Sequence, residues 1–133
     1  MSKPKLHIVN LSGGKDSTAM TIELIAKGYP VDIILTCDVG LDFPEMYDHI
    51  DKLEKYIGRP ITRLKGDKDF MWYAAEKEII RRTTKVEGVN PGDVTYGYGW
   101  PSMFSRWCTR HLKTDVIERY LRDLRKEYDV VQY

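Results

Sequence analysis

The sequence predicts an α/β fold, a three-layer sandwich in which helices cover both faces of a mostly parallel, twisted sheet. Two observations predict it. Short apolar runs suited to buried strands alternate with longer segments of helical periodicity, which is the pattern of a parallel sheet covered on both faces. The length of 133 residues and the hydrophobic content of 42% suit one domain over residues 1–133 with a core of its own.

The first unit runs from strand to helix to strand. Residues 5–10 predict a short buried strand, and a helix should begin near Ser17 and stop at Gly28. Residues 31–37 predict the second strand most clearly, because this short run is apolar and rich in β-branched side chains.

The second unit begins with a helix of clear periodicity. Apolar residues recur at helical spacing from Phe43 to Ile57, Pro44 suits the first turn, and Gly58 ends the helix. Residues 60–66 then predict the third strand.

The second half of the chain is less regular. Residues 67–85 predict a third helix, and residues 87–102, rich in Gly, Pro and Tyr, predict a long irregular segment of the kind that is usually functional. Apolar side chains on one face predict a final helix over residues 114–128, and residues 129–133 predict the start of another strand.

The composition limits the classes of partner. The formal net charge is +1, from 21 basic and 20 acidic residues, so nucleic acid stays open as a partner but charge provides no argument for it. The two cysteines, Cys37 and Cys108, cannot supply a disulfide framework or a four-thiolate metal site. Because no apolar run is long enough for a signal peptide or a membrane span, we expect a soluble cytoplasmic protein without a membrane partner.

The stretch LSGGKDST, residues 11–18, lies between the first strand and the first helix. A glycine-rich turn that leads into a helix presents unpaired backbone N–H groups, and the helix dipole adds partial positive charge. The two glycines let the backbone approach a ligand, while three hydroxyls and one lysine add contacts. The composition therefore predicts an anion site, most naturally for phosphate; a simple helix cap built on Asp16 and Ser17 is the alternative.

Two familiar phosphate-binding loops do not match this stretch. The Walker pattern requires Gly where this chain has Val9, and Ser or Thr where it has Asp16. The dinucleotide fingerprint is absent from the loop, and residues 97–102 match only its first half, without a predicted strand before them. The sequence therefore predicts a phosphate loop of another kind.

Three motifs together resemble one known family. SGGKDS at 12–17 resembles the Ser-Gly-Gly-x-Asp-Ser signature of the PP-loop, or adenine nucleotide alpha-hydrolase-like, superfamily. CDVGLDFPEMYDHIDKLEKYIG at 37–58 and RWCTRHLK at 106–113 resemble two segments of the phosphoadenosine phosphosulfate (PAPS) reductase family, in the same order. The resemblance covers nearly the whole chain and implies the adenine nucleotide alpha-hydrolase-like fold.

The resemblance implies a site for an adenine nucleotide, either ATP or a PAPS-like molecule. The loop would hold the phosphates, the end of the second strand would border the base and ribose, and Lys113 would reach a terminal phosphate or sulfonate. The implied nucleotide-binding residues are Ser12, Gly13, Gly14, Lys15, Asp16, Ser17, Thr18, Leu35, Thr36, Cys37 and Asp38. The candidate catalytic residues are Lys15, Asp16, Cys108 and Lys113, and the candidate substrate loop contributes Trp100, Arg106, Trp107 and Arg110.

The chain departs from the family pattern at two cysteine positions. Thiol-dependent PAPS reductases resemble one another in a C-terminal Glu-Cys-Gly-Leu-His motif, which is absent before the sequence ends at Tyr133. Relatives with an iron–sulfur cluster carry a double cysteine where this chain has Trp107 and a single Cys108. We therefore expect no iron–sulfur cluster, and a domain that is truncated at its C-terminal end or is a minimal form. Such a domain would need a partner, either another copy of the chain or a thiol or sulfur carrier.

The two cysteines differ in their surroundings. Cys108 could be a sulfur-carrying nucleophile, because Arg106 and Arg110 would lower its pKa, or it could be a small buried hydrophobic residue. Cys37 lies within an apolar strand and is expected to belong to the core.

Acidic and aromatic groups near the implied site each have two interpretations. Asp38, Asp42 and Glu45 could hold Mg²⁺ beside a triphosphate, or Asp42 and Glu45 could charge the start of a helix. The five aromatic residues between positions 96 and 107 could stack on a base or close over the substrate, or they could seal the sheet edge or meet another chain.

Two chemistries fit the implied site. In the first, an acceptor attacks the α-phosphate of ATP, pyrophosphate leaves, and the acceptor becomes adenylated. In the second, the same pocket holds the adenosine of a sulfonucleotide and an external thiol attacks its sulfur. The absent cysteine motif favours the first. The alternative to an enzyme is a non-catalytic or partner-dependent nucleotide-binding module.

Overall fold

The structure, a computed structural model, describes residues 2–82 and 87–133. Two π-helical turns, Trp72–Glu76 and Arg110–Thr114, accompany the regular elements. In chain order these elements are β1 (Lys5–Asn10), α1 (Lys15–Ala26), β2 (Ile33–Cys37), α2 (Pro44–Ile57), β3 (Thr62–Leu64), β4 (Glu78–Ile80), β5 (Val94–Tyr96), α3 (Trp107–Thr109), α4 (Asp115–Leu124) and β6 (Asp129–Gln132).

Four parallel strands form the central sheet in the order β3-β2-β1-β6. The chain starts in the middle of the sheet at β1, moves outwards through β2 to β3, and later returns to the other side of β1 with β6. In this register Val9 lies opposite Ile34, and His7 lies opposite Val131. The strand order therefore reverses beside β1, and ligands of parallel α/β sheets bind at such a point, outside the carboxyl ends of the strands.

Helices cover both faces of the sheet because successive strand residues point to opposite sides. Val9 belongs to a buried aliphatic cluster that also contains Ile50 and Leu53 of α2, against which side chains of α1 pack. Its neighbour Ile8 belongs to a second aliphatic cluster, in which Leu121 of α4 is completely buried. The predicted three-layer α/β sandwich with a parallel sheet is confirmed.

The first two helices follow the sequence prediction closely. α1 begins at Lys15, slightly earlier than predicted, and ends shortly before Gly28. α2 has Pro44 at its first position and is followed by Gly58. Among the described residues, no helix combines the length and the apolar character that crossing a membrane requires.

The helix predicted over residues 67–85 is wrong. Its described part contains one π-helical turn and then β4. This strand pairs antiparallel with β5, which lies inside the segment predicted to be irregular. Within β4 the side chain of Ile79 is partly covered while those of its two neighbours are exposed, which is strand-like alternation. Pairing with a distant strand overrides the local helical pattern here. Residues 83–85 of the predicted helix lie outside the described residues.

A third cluster, here called the aromatic cluster, consists of Phe70, Tyr73, Tyr98, Trp107 and His111. Phe70 and Trp107 are buried, with ring centroids 4.8 Å apart. The ring of His111 stacks on Tyr73 at 5.0 Å and on Tyr98 at 5.5 Å. Because two of the five rings belong to the helical run 107–114, this cluster fixes the second π-helical turn beside the sheet.

Candidate functional site

The loop between β1 and α1 is held closed by its own two serines. The Oγ atoms of Ser12 and Ser17 lie 2.9 Å apart, and the backbone N–H of Ser12 donates to Ser17 Oγ at 3.2 Å. The N–H of Gly14 donates to Ser12 Oγ at 3.3 Å, and the Ser17 hydroxyl reaches the Gly14 carbonyl at 3.3 Å. These bonds join the two ends of the loop and define its shape.

The two loop glycines have different reasons to be there. Gly13 has a φ of +87°, and a Cβ at this position would lie 2.5 Å from Sδ of Met46. Gly14 has an ordinary φ of −73°, and the nearest atom to its added Cβ would be 3.5 Å away. Only Gly13 is therefore demanded by both conformation and space.

The start of α1 lacks a side-chain cap. The cap position is occupied by Gly14, which has no side chain that could bond to the helix. Its carbonyl accepts from the N–H of Thr18 at 3.0 Å. The N–H groups of the first turn have no carbonyl partner within the helix, and the dipole makes this end partially positive. The simple side-chain cap considered from the sequence is thus not formed, and the loop end has the character of an anion site.

An inner cavity and a groove lie beside this loop. The inner cavity, of about 150 Å³, lies between the carboxyl ends of β1 and β2 and the segment around Lys113. The loop groove, of about 440 Å³, lies on the other side of the loop, against the start of α2. The inner cavity is lined by Asn10, Leu11, Ser12, Leu35, Thr36, Cys37, Asp42, Lys113 and Ile117. The loop groove is lined by Gly13, Lys15, Thr18, Phe43, Glu45, Met46 and His49.

The two charged loop residues are almost fully solvent-exposed. The side chains of Lys15 and Asp16 are 93% and 96% exposed, and their charged atoms lie 4.0 Å apart. Lys15 lines the loop groove, whereas Asp16 lines neither opening. Of these two predicted catalytic residues, only Lys15 is therefore placed beside a cavity.

Lys113 lines the inner cavity together with loop residue Ser12. It belongs to the second π-helical turn, and its backbone carbonyl lies 3.9 Å from Sγ of Cys37 at the end of β2. The structure thus brings Lys113 and Ser12, which are distant in sequence, to one cavity.

Cys37 is only partly buried and lines the inner cavity, which differs from the core position expected. Burial raises the pKa of the Cys37 thiol, and the charge of Lys113 opposes this effect. A thiol with a raised pKa remains protonated at neutral pH and is a weak nucleophile.

Two of the three acidic candidates, Asp38 and Asp42, line one small opening, whereas Glu45 lines the loop groove. Asp38 accepts hydrogen bonds from the Gly40 N–H and the Tyr47 hydroxyl, both at 2.9 Å, and lies 3.8 Å from Lys65 Nζ. The bond to Asp38 is the largest cause that raises the pKa of the exposed Tyr47 hydroxyl. Asp38 is therefore occupied in fixing the loop after β2.

Asp42 lines the inner cavity and Glu45 lines the loop groove. Within residues 2–82 and 87–133, no three His, Cys, Asp or Glu side chains are grouped so as to hold a metal ion. The magnesium site stays a prediction.

The candidate substrate loop is split between core and surface. Trp107 is 5% exposed and its Nε1–H donates to the Gly99 carbonyl at 3.1 Å, so its ring supports the fold and does not present a surface to substrate. Trp100 is 74% exposed and packs edge-on against Phe70. Arg106 and Arg110 are exposed and line neither opening.

Cys108 also lies away from the two openings. It is partly buried and packs against the cluster that contains Phe70 and Trp107. This environment suits a small apolar side chain, and its role as a nucleophile stays a prediction.

Two polar residues at these openings were not among the sequence predictions. Asn10 ends β1 and lines the inner cavity; its only signal was a polar residue at the end of a buried strand. His49 lines the loop groove, and its Nε2 lies 3.2 Å from the Thr18 hydroxyl. The sequence indicated His49 only through its helical spacing from Glu45, because residues four apart lie on one side of α2.

A glycine-rich loop that leads into a helix at the carboxyl edge of a parallel sheet is typical of a class of α/β proteins that bind phosphate-containing ligands. The chain belongs to one family of that class: residues 7–131 match the model of the phosphoadenosine phosphosulfate reductase domain. The family predicted from the three motifs, within the PP-loop superfamily, is confirmed.

Two proteins of Methanocaldococcus jannaschii are similar to the chain. Uncharacterized protein MJ0066 is 26% identical over 127 residues, and uncharacterized protein MJ0973 is 29% identical over 133 residues. The matches cover 95% and 98% of this chain but 22% and 26% of the relatives, so the chain spans about a quarter of their length. No solved structure gives a significant match.

Proposed function

We propose that the chain binds an adenine nucleotide, with the base in the inner cavity and the phosphates over the loop, and promotes attack on the α-phosphate with release of pyrophosphate. One observation carries the proposal. A hydrogen-bonded loop at a helix start and Lys113, which is distant in sequence, border the same cavity at the carboxyl edge of a parallel sheet.

The inner cavity suits a flat ring. Leu11, Leu35 and Ile117 provide apolar walls, and a cavity of this size, about 150 Å³, is large enough to hold a benzene-sized ring. Ser12 both lines this cavity and begins the loop, so the remainder of a larger molecule would extend past Ser12 towards the loop. A base bound here would have its sugar and phosphates directed to the start of α1.

The loop suits the charge that develops in the reaction. When the acceptor forms a bond to the α-phosphorus, the bond from that phosphorus to the bridging oxygen breaks and pyrophosphate leaves with the electron pair. Backbone N–H groups at the start of α1 and the ammonium of Lys15 would stabilise the leaving pyrophosphate. The ammonium group of Lys113, which lines the inner cavity, would offset negative charge on the phosphates.

Reduction of a sulfonucleotide is the second candidate, because the matching family model is that of PAPS reductase. The same cavity would hold the adenosine. The raised pKa keeps the Cys37 thiol protonated at neutral pH, and Cys108 packs against the aromatic cluster away from the cavity, so the attacking thiol would come from a partner. A non-catalytic nucleotide-binding module is the third outcome.

Calorimetric titration distinguishes these functions. We expect Mg-ATP to bind more tightly than adenosine 3′,5′-bisphosphate, the nucleotide product of PAPS reduction, and pyrophosphate release to follow when an acceptor is found. A preference for the bisphosphate would favour sulfonucleotide chemistry. Binding of neither nucleotide would contradict the proposal.

A lysine pair tests the location of the site. We expect Lys113→Gln to weaken Mg-ATP binding about tenfold, since a charged hydrogen-bond donor to phosphate is lost. Lys52→Gln changes another exposed lysine, on α2, that lines neither opening and should leave the dissociation constant unchanged. Equal effects of the two substitutions would remove Lys113 from the site.

A further inference from the structure

The two-stranded sheet has one covered face and one exposed face. In β4 the side chain of Ile79 is partly covered, and those of its neighbours Glu78 and Ile80 are exposed. On the covered face, Nε of Arg81 donates to the Thr95 hydroxyl at 2.7 Å. On the other face Ile80 is 69% exposed, so β4 turns an apolar side chain to solvent.

The edge of β4 that faces away from β5 is open. The Lys77 carbonyl and the Arg81 N–H are bonded to the opposite backbone of the two-stranded sheet, at 2.7 Å and 2.8 Å. Successive residues of a strand direct their backbone groups to opposite edges, so those of Glu78 and Ile80 face away from β5. Within residues 2–82 and 87–133, no backbone group is bonded to them at that edge.

The exposed side chains along this edge follow the order acidic, apolar, basic. Glu78, Ile80 and Arg82 occupy alternate positions, and all three are exposed. If two such segments are aligned antiparallel with Ile80 at the centre, Glu78 of each lies opposite Arg82 of the other. Opposite charges placed directly across two strands stabilise their pairing. The charge pattern of this edge is therefore complementary to itself.

We infer that the open edge of β4 is an interaction surface for a second copy of the chain, whose own β4 pairs with it antiparallel across a twofold axis. The axis passes beside Ile80, which lies opposite Ile80 of the other copy. The two two-stranded sheets thereby become one four-stranded sheet. This inference goes beyond the proposed function and does not depend on the binding of a nucleotide.

The backbone and the side chains agree on this register. The residues whose N–H and carbonyl groups face the open edge are the same residues that carry the complementary side chains. Ile80 exchanges two N–H···O bonds with its counterpart, and Glu78 does so with Arg82 of the other copy. Because Val94 lies opposite Ile80 within each copy, the joined sheet has a continuous row of four apolar side chains with an ion pair on either side.

The other edge strands do not have this pattern. β5, Val94–Tyr96, is uncharged, and β6, Asp129–Gln132, has no basic residue. β3 carries Arg63, but its guanidinium is already bonded to the carboxylate of Asp51. Since the complementarity of β4 is to its own sequence, a second copy is the occupant that the charges favour.

The experiment is sedimentation equilibrium of the chain over a range of concentrations. For the unaltered chain we expect a dimer with a dissociation constant of about 10 μM, because the interface is small. Glu78→Arg places like charges opposite each other twice in the dimer and should weaken it at least about tenfold, as should Arg82→Glu. Combining both substitutions restores opposite charges and should recover the unaltered dissociation constant. The matched control is Glu127→Arg, at an exposed residue outside the two-stranded sheet, which should change nothing.

A proline substitution tests the backbone part of the interface. Ile80→Pro removes the N–H that faces the open edge, and the pairing of β4 with β5 does not use this N–H. We therefore expect a monomer whose circular dichroism spectrum matches that of the unaltered chain. If Ile80→Pro fails to fold, the two charge reversals and their combination still decide the inference.

Four results would overturn the inference. They are an unaltered chain that is monomeric at every concentration, single charge reversals that leave the dimer unchanged, a combined reversal that does not recover it, and assemblies larger than a dimer, which a closed twofold pairing excludes. None of these results bears on nucleotide binding, which the calorimetric titration tests separately.

Discussion

The aliphatic clusters and the aromatic cluster hold together two differently built parts of the molecule. The aliphatic clusters lie on the two faces of a continuous four-stranded sheet and consist of branched side chains such as Ile8 and Leu35. The aromatic cluster packs beside a two-stranded sheet and two π-helical turns. A two-stranded sheet has little stability of its own, so this second part depends on a few rings and close backbone contacts.

The two parts can be monitored separately. All three tryptophans, Trp72, Trp100 and Trp107, lie in the part that contains the aromatic cluster. Their fluorescence therefore reports on that part, whereas far-ultraviolet circular dichroism is dominated by the helices around the four-stranded sheet. A substitution that affects one part more than the other should therefore separate the two spectroscopic transitions.

The largest effect is expected from Gly97→Ala. Gly97 has a φ of +75°, and an added Cβ would lie 2.5 Å from the carbonyl carbon of Ala74 and 2.6 Å from Cα of Ala75. Because the obstacle is backbone, we expect a loss of about 4 kcal/mol in the free energy of unfolding. The fluorescence transition in denaturant should move further than the circular dichroism transition.

The matched control for that substitution is Gly99→Ala. Gly99 has the same φ of +75°, but an added Cβ there meets no atom within 4 Å. It should cost about 1 kcal/mol, which is the effect of the backbone conformation alone. Equal losses for Gly97→Ala and Gly99→Ala would contradict the role of the close contact.

Leu121→Ala should be the next largest in effect. Leu121 is fully buried between α4 and the sheet, so its truncation leaves a cavity in the second aliphatic cluster. We expect a loss of about 3 kcal/mol in the free energy of unfolding. The two spectroscopic transitions should move together; a shift confined to fluorescence would show that the sheet does not depend on this residue.

A smaller effect is expected from Trp107→Phe. The substitution keeps an aromatic ring but removes the Nε1–H that donates to the Gly99 carbonyl, leaving that acceptor without its bond. We expect a loss of about 2 kcal/mol, measured by denaturant unfolding. Trp100→Phe, at a side chain 74% exposed, should change the free energy of unfolding by less than about 0.5 kcal/mol. A larger loss from Trp100→Phe would reverse the assignment of the two rings.

The smallest effect is a pH dependence that comes from His111. Burial lowers its pKa, Arg110 and Lys77 add to the lowering, and the nearby Asp115 carboxylate opposes it. The unfolded chain therefore binds more protons just below the ordinary histidine pKa of about 6.5. The stability contributed by neutral His111 should be complete above that pH and decline as the pH falls towards the folded-state pKa.

The measurement for His111 is the unfolding free energy of the unaltered chain minus that of His111→Gln, followed from about pH 8 to about pH 5. Taking the difference cancels the contributions of His7 and His49. We expect this difference to shrink as the pH falls, and a difference that grows instead would contradict the lowered pKa of His111.

The sequence predicted the parts of the fold that depend on local patterns. Three such patterns are the apolar runs of β1 and β2, Pro44 at the start of α2, and the composition of the loop. Each acts within a few residues, so it can be recognised from the sequence alone. The helix predicted over residues 67–85 failed because β4 finds its partner in β5, beyond a segment that separates them in sequence. Such pairing is decided by tertiary packing.

The candidate site was predictable in outline but not in detail. Ser12 and Lys113 could be proposed because motifs carried them, and both border the inner cavity. Asn10 carried no motif signal, and its place beside the inner cavity is visible only in three dimensions. Trp107 matched a motif, yet its burial shows that it belongs to the core.

The adjacency of β1 and β6 has a consequence for how the chain folds. β1 precedes the loop, yet one of its two neighbours in the sheet is formed by residues 129–132, and the N–H of Asn10 is bonded to Tyr133. Pairings between segments so distant in sequence carry a high loop-closure entropy and form slowly. During synthesis β1 can pair with β2 early, but its other edge stays unpaired until residues 129–133 have been made, so this side of the strand that bears the loop is completed late.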